Sequence, residues 1–178
     1  EGESIPEDRS FFKISSHFAT GNSVLQKSIF RTVGLFDRQF EGQRMGDGEF
    51  GMRLYMHDFK SISNPVASCV DVKAPTGGLR FMGSWDAFRT SSIFAPRPVP
   101  SVLYYFRRYF GKSSARLSLF RTLPLSIMPY RFKKNKPLSV LGAFISILLL
   151  PLVVFQVWKS WRLSTKKLNQ GPIIEQLN

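Results

Sequence analysis

Two carboxylates, Asp47 and Glu49, lie two residues apart in residues 46–54, which read Gly-Asp-Gly-Glu-Phe-Gly-Met-Arg-Leu. The pattern predicts a short amphipathic helix with Asp47 as its N-cap, because that carboxylate can accept hydrogen bonds from unpaired backbone N–H groups. Glu49 then lies in the first turn, where the helix dipole favours an anion, and it reaches Arg53 four residues later. Such a helix start can hold a carboxylate at the edge of a cleft. The alternative is a capped surface helix with one salt bridge.

A glycine-rich loop, residues 73–80, is the second candidate for chemistry. Gly77 and Gly78 allow backbone N–H groups to come close to an anion, while Lys73 and Arg80 supply positive charge. This combination suits a diphosphate. A flexible hairpin loop is an equally good interpretation.

Other catalytic patterns are missing from the sequence. It has no phosphate-binding loop of the Walker or dinucleotide type and no HExxH motif. His17 and His57 are forty residues apart and carry no ligand spacing. Cys69 is the single cysteine, which excludes an intramolecular disulfide and a cysteine-based zinc site.

Positive charge is concentrated in the second half of the 178-residue chain. Residues 1–86 hold 10 Lys and Arg against 11 Asp and Glu, whereas residues 87–178 hold 15 against 1. The hydrophobic fraction of 43% argues against disorder. This asymmetry indicates a near-neutral domain followed by a basic module in different surroundings.

Short strands alternate with helices in the first half. Strands are predicted at residues 11–15, 24–25, 59–63 and 67–72. Helices are predicted at 28–33, capped by Ser28 and ended by Gly34, and from the Asp47 region to about His57. This alternation indicates part of an α/β domain.

The second half begins with an extended proline-rich linker around residues 96–100. Beyond it, apolar side chains recur with helical spacing on one face, and basic ones occupy the other. The apolar set is Val102, Tyr105, Phe106, Tyr109 and Phe110, and the basic set is Arg107, Arg108 and Lys112. A helix of this kind suits a membrane interface. It equally suits packing on a domain with a solvated basic face.

Residues 137–158 contain no charged side chain. At about 1.5 Å per residue they span roughly 33 Å, enough to cross a hydrocarbon core of about 30 Å. We therefore predict that this segment is a transmembrane helix and not a buried core helix. Pro151 could introduce a kink, or a re-entrant hairpin in place of a full crossing. Nine Lys and Arg lie between residues 107 and 136, against four between 159 and 167. The positive-inside rule then predicts the inner membrane, with the preceding domain in the cytoplasm.

Four segments in one order carry a family resemblance: residues 20–22, 30–37, 46–54 and 74–80. Together they resemble the carboxy-terminal, acceptor-side half of a bacterial glycosyltransferase family 2 enzyme, over about residues 11–110. The resemblance implies an α/β fold: the acceptor-side half of a GT-A (Rossmann-like) domain, followed by an amphipathic helix and a transmembrane helix. The implied division is 1–93 partial catalytic domain, 94–136 linker and interfacial helix, 137–158 membrane helix and 159–178 basic tail.

Family roles carry over by position. The family pattern Glu-Asp-x-(Asp or Glu)-(Leu or Phe)-x-x-Arg makes Asp47 the catalytic base, although Gly46 stands where the family has Glu. The implied substrate-binding residues are Glu49, Arg53, Asn22, Lys73, Gly77, Gly78, Arg80 and Trp85, of which Trp85 could equally be packing. Asp71 stands where members tend to have a His near a divalent metal, so Mg²⁺ or Mn²⁺ is an expected cofactor with Asp71 as a ligand.

The implied activity is inverting transfer of a sugar from a nucleotide-sugar donor to a polysaccharide or glycolipid acceptor at the cytoplasmic membrane face. The expected partners are the donor, a glycan or lipid-linked acceptor, and membrane lipid. The family's nucleotide-binding half, with its Asp-x-Asp motif, is missing from this sequence, so the chain as it stands is expected to be incomplete for catalysis. The alternative is a non-catalytic adaptor that docks on anionic lipid through its basic tail. Nucleic acid is not an expected partner, because the basic residues flank an uncharged run.

Overall fold

The computed structural model describes residues 13–14, 18, 20–64, 67, 92–127 and 136–177. Within these ranges most residues are helical. The sheet that they contain is one antiparallel pair, β1 (Lys13–Ile14) and β2 (Ile62–Ser63), with Lys13 opposite Ser63 and Ile14 opposite Ile62. The α/β fold of the complete domain stays a prediction.

Two of the four predicted strands are thus present in part. The predicted strand at residues 24–25 is wrong: this segment is not part of a strand, and Val24 is fully exposed. Without an apolar surface to cover Val24, β propensity alone does not form a strand. Apart from residue 67, the fourth predicted strand lies outside the described residues.

Helix α1 runs from Lys27 to Val33. Its N-cap is Gln26, which makes no capping hydrogen bond through its side chain, so the predicted cap at Ser28 is wrong. The predicted end at Gly34 is confirmed, with φ 79° and ψ 175° at that residue. Glycine suits this position because almost no other residue adopts that combination of angles.

Helix α2, Gly46–Met56, is the predicted carboxylate-bearing helix. Its N-cap is Met45, not Asp47, because the Met45 carbonyl already accepts the Glu49 N–H at 2.8 Å. Asp47 is therefore the second residue of the helix. The helix ends as predicted, at His57, whose N–H donates to the carbonyl of Arg53 at 3.1 Å.

The chain forms two compact units, of which the first comprises Glu1–Arg38, Met45–Gly78 and Ile173–Asn178. Its core is built from buried Phe18, Val33, Phe50 and Leu54. The ring of Phe50 is completely buried, and its centroid lies 4.5 Å from that of Phe36. Burying one such ring stabilises the folded state by roughly 1.5–3 kcal/mol, so this apolar face of α2 is what fixes the helix in the unit.

The second unit comprises Gln39–Arg44 and Leu79–Pro172, and its main elements are α3 (Pro100–Ile127) and α4 (Lys136–Gln170). Helix α3 contains a kink at Gly111, with φ 81° and ψ 170°. Its first turns pack against α4 and are buried on all sides, Val102 to Tyr105 included. This part of α3 therefore matches the alternative of a helix packed on the protein. A membrane-interface role for its later, exposed part stays a prediction.

Helix α4 is continuous over 35 residues and passes Pro151 without a break, so the structure has no hairpin at that position. It extends twelve residues beyond the predicted end at 158. The segment Phe144–Gln170 is long and apolar enough to span a membrane, with a mean hydropathy of 1.7, and only 17% of its most apolar window is buried within the protein. Its buried side chains, Val153, Gln156, Ser160 and Ser164, recur every three or four residues along one face.

Candidate active site

Asp47 lies in the first turn of α2, and its side chain is exposed. Its Oδ1 accepts the N–H of the following residue, Gly48, at 2.9 Å. A carboxylate suits this position because the amino end of a helix carries partial positive charge. The second carboxylate oxygen, Oδ2, is then available to an incoming hydroxyl group.

The backbone that leads into α2 has an unusual conformation. Met45 has φ 73° and ψ 10°, a left-handed combination that costs a non-glycine residue roughly 1–2 kcal/mol. Its side chain lies beside Gly48, where an added Cβ would stand 3.2 Å from Met45 Cε. The small residue at position 48 therefore leaves room for Met45 against the helix start.

Glu49 and Arg53, two and six residues after Asp47, form a buried ion pair. Arg53 Nε donates to both carboxylate oxygens of Glu49, at 2.9 and 3.0 Å. The side chains are 0% exposed for Glu49 and 7% for Arg53. The predicted pairing is confirmed, but it lies in the interior and not at the surface. Both groups support the fold, and direct contact of either with a substrate stays a prediction.

The remaining donors of Arg53 join α2 to the end of α1. Its Nη1 donates to the Val33 carbonyl and its Nη2 to the Leu35 carbonyl, the latter at 2.8 Å. The last carbonyls of a helix have no partner within the helix, so the guanidinium satisfies groups that would otherwise be unpaired. Two of the sequence segments that carried the family resemblance are therefore joined through this one side chain.

The carboxy-terminal residues complete the same unit. The Leu35 N–H donates to the Glu175 carbonyl at 2.8 Å, and the Arg38 N–H donates to the Ile173 carbonyl at 2.9 Å. The Ile173 N–H in turn donates to Oδ1 of buried Asp37 at 2.9 Å. Residues 173–177 thus run alongside residues 35–38, and the Leu35 carbonyl in that segment also accepts from Arg53. No motif in the sequence predicts this contact.

Only some of the predicted site residues lie in the described parts of the chain. Asn22 is exposed at the end of the short 3₁₀ helix Thr20–Asn22. The other predicted site residues lie outside the described ranges: Asp71, Lys73, Gly77, Gly78, Arg80 and Trp85. The described residues contain no group of three or more His, Cys, Asp or Glu that could hold a metal ion.

A second polar cluster, in the other unit, was not predicted. Arg107 Nη1 donates to Ser164 Oγ at 2.7 Å and to Thr165 Oγ1 at 2.8 Å, and the guanidinium lies 4.3 Å from the ring centroid of Trp161. Burial, together with the positive charge of Arg116, lowers the pKa of Arg107. The prediction that Arg107 faces away from the packed side of α3 is therefore wrong. The four-residue spacing of Gln156, Ser160 and Ser164 was the available sign of a polar packing face.

Comparison with known protein families, with curated proteins and with solved structures found no match to this chain.

Proposed function

We propose that this protein is a membrane-anchored inverting glycosyltransferase of bacterial type, in which Asp47 is the general base. The observation that supports the proposal best is the exposed carboxylate of Asp47, at the start of a helix that buried contacts of Glu49 and Arg53 hold in place. Catalysis needs its base within hydrogen-bond reach of the reacting hydroxyl and in a constant position. The Glu49–Arg53 pair supplies that rigidity.

Burial distinguishes the two carboxylates. Glu49 is completely buried, and both of its oxygens accept from Arg53. It therefore cannot meet an acceptor hydroxyl without breaking that pair. Asp47 has a solvent-facing side chain and is the carboxylate of this motif that can take a proton from a bound substrate.

The proposed reaction is a single displacement. Asp47 removes the proton from an acceptor hydroxyl, and the oxygen attacks the anomeric carbon of a nucleotide sugar. The new glycosidic bond forms as the bond to the diphosphate breaks, and the nucleoside diphosphate leaves with the electron pair. The loop at residues 73–80 is the candidate for holding that diphosphate. A divalent metal would neutralise the same charge, and its predicted ligand, Asp71, lies outside the described residues.

The test is an Asp47→Asn substitution in the complete protein, assayed in native membranes with labelled nucleotide sugars. Transfer should fall by about 10²–10⁴-fold, because the amide cannot accept the proton while its size is unchanged. Asp58→Asn is the matched control. Asp58 is exposed just beyond the other end of α2, and its φ of 62° is one that asparagine also tolerates. Activity near the wild-type level in Asp47→Asn, or an equal loss in both variants, would reject Asp47 as the base.

We further propose that the apolar part of α4 lies in the membrane and that the first unit is cytoplasmic. Support for the membrane placement comes from the length and hydropathy of Phe144–Gln170. Residues 173–177, which follow α4, are hydrogen-bonded to residues 35–38 of the first unit, so these two segments lie on the same side of the membrane. Polar Gln156 and Ser160 agree with this placement, because they are buried against the protein and hydrogen-bonded to the carbonyls of Ile93 and Pro98.

A non-catalytic adaptor that docks on anionic lipid is the second candidate. Its specific support is the charge of residues 87–178, in which Glu175 is the single acidic residue. Failure of the complete protein to bind any nucleotide sugar in the presence of Mn²⁺ would favour the adaptor over the enzyme.

A further inference from the structure

The carboxy-terminal part of α4 carries a shallow cavity of about 600 Å³, which we call the Trp158 surface. The side chains that line it include Trp158, Trp161, Arg162, Thr165, Lys166 and Asn169. It therefore combines two large aromatic rings with two cations. Neither the proposed sugar transfer nor the packing of α3 against α4 uses Arg162 or Lys166.

The Trp158 surface continues the apolar outer face of α4. At about 100° of rotation per residue, Trp158, Arg162 and Lys166 follow each other along one side of the helix. The same side carries the exposed apolar residues Ile147 and Val154 in the preceding turns. The buried side chains at positions 156, 160 and 164 lie on the opposite side. A lipid that lies against the outer face of α4 would therefore have its headgroup end at Arg162 and Lys166.

The spacing along the helix agrees with the layers of a bilayer. At about 1.5 Å per residue, Arg162 lies roughly 6 Å beyond Trp158, and Lys166 roughly 12 Å beyond it. Tryptophan prefers the boundary between hydrocarbon and headgroups. Each headgroup layer is about 5–8 Å thick, taken as half the difference between the full bilayer and its hydrocarbon core. With Trp158 at that boundary, Arg162 lies at the depth of the lipid phosphates.

The cations at this surface lack acidic partners within the described structure. The ion pairs Arg38–Glu175 and Arg53–Glu49 do not involve this surface. Arg162 instead lies over the ring of Trp158, at 5.6 Å from the centroid, and Arg116 lies over Trp161 at 5.8 Å. Stacking of this kind orients a guanidinium while its N–H groups remain able to bind an anion.

We propose that the Trp158 surface binds the phosphate headgroup of an anionic bilayer lipid. Arg162 and Lys166 bind the phosphate oxygens, and Trp158 packs against the upper part of the acyl chains. The lipid phosphate then supplies the negative charge that no acidic side chain in the described parts of the chain brings to this surface. The inference rests on the proposed membrane placement of α4 and not on sugar transfer, so a loss of transferase activity in Asp47→Asn does not bear on it.

The test is lipid binding by the complete protein in detergent, measured by native mass spectrometry during titration with phosphatidylglycerol or with phosphatidylcholine. The wild type should retain phosphatidylglycerol in preference to phosphatidylcholine. Arg162→Gln with Lys166→Gln should weaken the phosphatidylglycerol affinity roughly twentyfold or more, since each cation near an anionic headgroup contributes about fivefold. The charge-preserving pair Arg162→Lys with Lys166→Arg should retain most of the binding.

Lys27→Gln with Arg31→Gln is the matched control, because it removes two exposed cations of α1, in the first unit, that lie outside the Trp158 surface. This control should bind phosphatidylglycerol like the wild type. An equal loss in both double variants would show unspecific charge attraction and overturn the site. Equal retention of the two lipids, or displacement of phosphatidylglycerol by excess inorganic phosphate, would also overturn it. Recovery of the protein from cells without detergent would instead reject the membrane placement of α4.

Discussion

Replacement of Arg53 by methionine should destabilise α2 more than any other single change in the candidate site. The substitution keeps an unbranched side chain but removes every donor of the guanidinium. The Glu49 carboxylate then stays buried without the guanidinium that donates to both of its oxygens, and the carbonyls of Val33 and Leu35 lose their donor. Breaking one side of a buried ion pair costs about 3–5 kcal/mol, so we expect Arg53→Met to lower the free energy of unfolding by about that amount.

Hydrogen exchange of the α2 amides is the suitable measurement, because it reports the opening of this helix within the complete protein in detergent. A loss of about 3–5 kcal/mol corresponds to exchange roughly a hundred to several thousand times faster. Arg31→Met is the matched control. Arg31 is exposed on α1, and changes at such positions usually stay within about 0.5 kcal/mol.

A double variant separates two causes of the expected destabilisation: the Glu49 charge that has lost Arg53, and the changed volume of the side chain at position 53. Arg53→Met combined with Glu49→Leu removes both charges of the buried pair and should be at least about 1 kcal/mol more stable than Arg53→Met alone. Part of the loss should remain, because the two carbonyls still lack a donor. The reasoning would be refuted by α2 amides that exchange in Arg53→Met as slowly as in the wild type. A double variant less stable than the sum of both single changes would refute it as well.

Two further predictions concern the first unit and the membrane. Gly34→Ala should accelerate amide hydrogen exchange at residues 173–177 by an amount equivalent to about 1–3 kcal/mol. A Cβ at this φ and ψ is strained, and it would collide with Ile174. Unchanged exchange at these residues would contradict the described contact. A cysteine introduced as Asp58→Cys in a Cys69→Ser background should react with an impermeant maleimide only after the inner membrane is opened, and labelling of intact cells would place the domain on the other side.

Local features of the sequence were sufficient for the helices. The helical ends at Gly34 and His57, the pairing of Glu49 with Arg53, and the long apolar helix all follow from residues within about one turn of each other or from one continuous run. Helix capping and i, i+4 pairing depend on the local chain alone, and this is why these predictions hold. The exceptions are the two N-caps: Gln26 and not Ser28 begins α1, and at the start of α2 an unusual backbone conformation at Met45 replaces a capping side chain.

Local sequence patterns do not predict which distant residues these helices contact. Arg53 binds carbonyls 18 and 20 residues away, and the Glu175 carbonyl accepts from a backbone group near the start of the chain. Sequence periodicity gives the side of a helix on which a residue lies, but not what covers that side. For this reason a surface salt bridge remained an alternative for Glu49 and Arg53, and Arg107 was placed on the wrong face of α3.

The sequence by itself determined which carboxylates and cations this protein offers and which segment is apolar enough to enter a membrane. Only the tertiary structure decided that Glu49 is enclosed while Asp47 stays exposed, although the two are separated by a single residue. The physical reason is that exposure depends on the neighbours that long-range packing brings to each side of a helix, here Phe50 and the end of α1 on the side of Arg53.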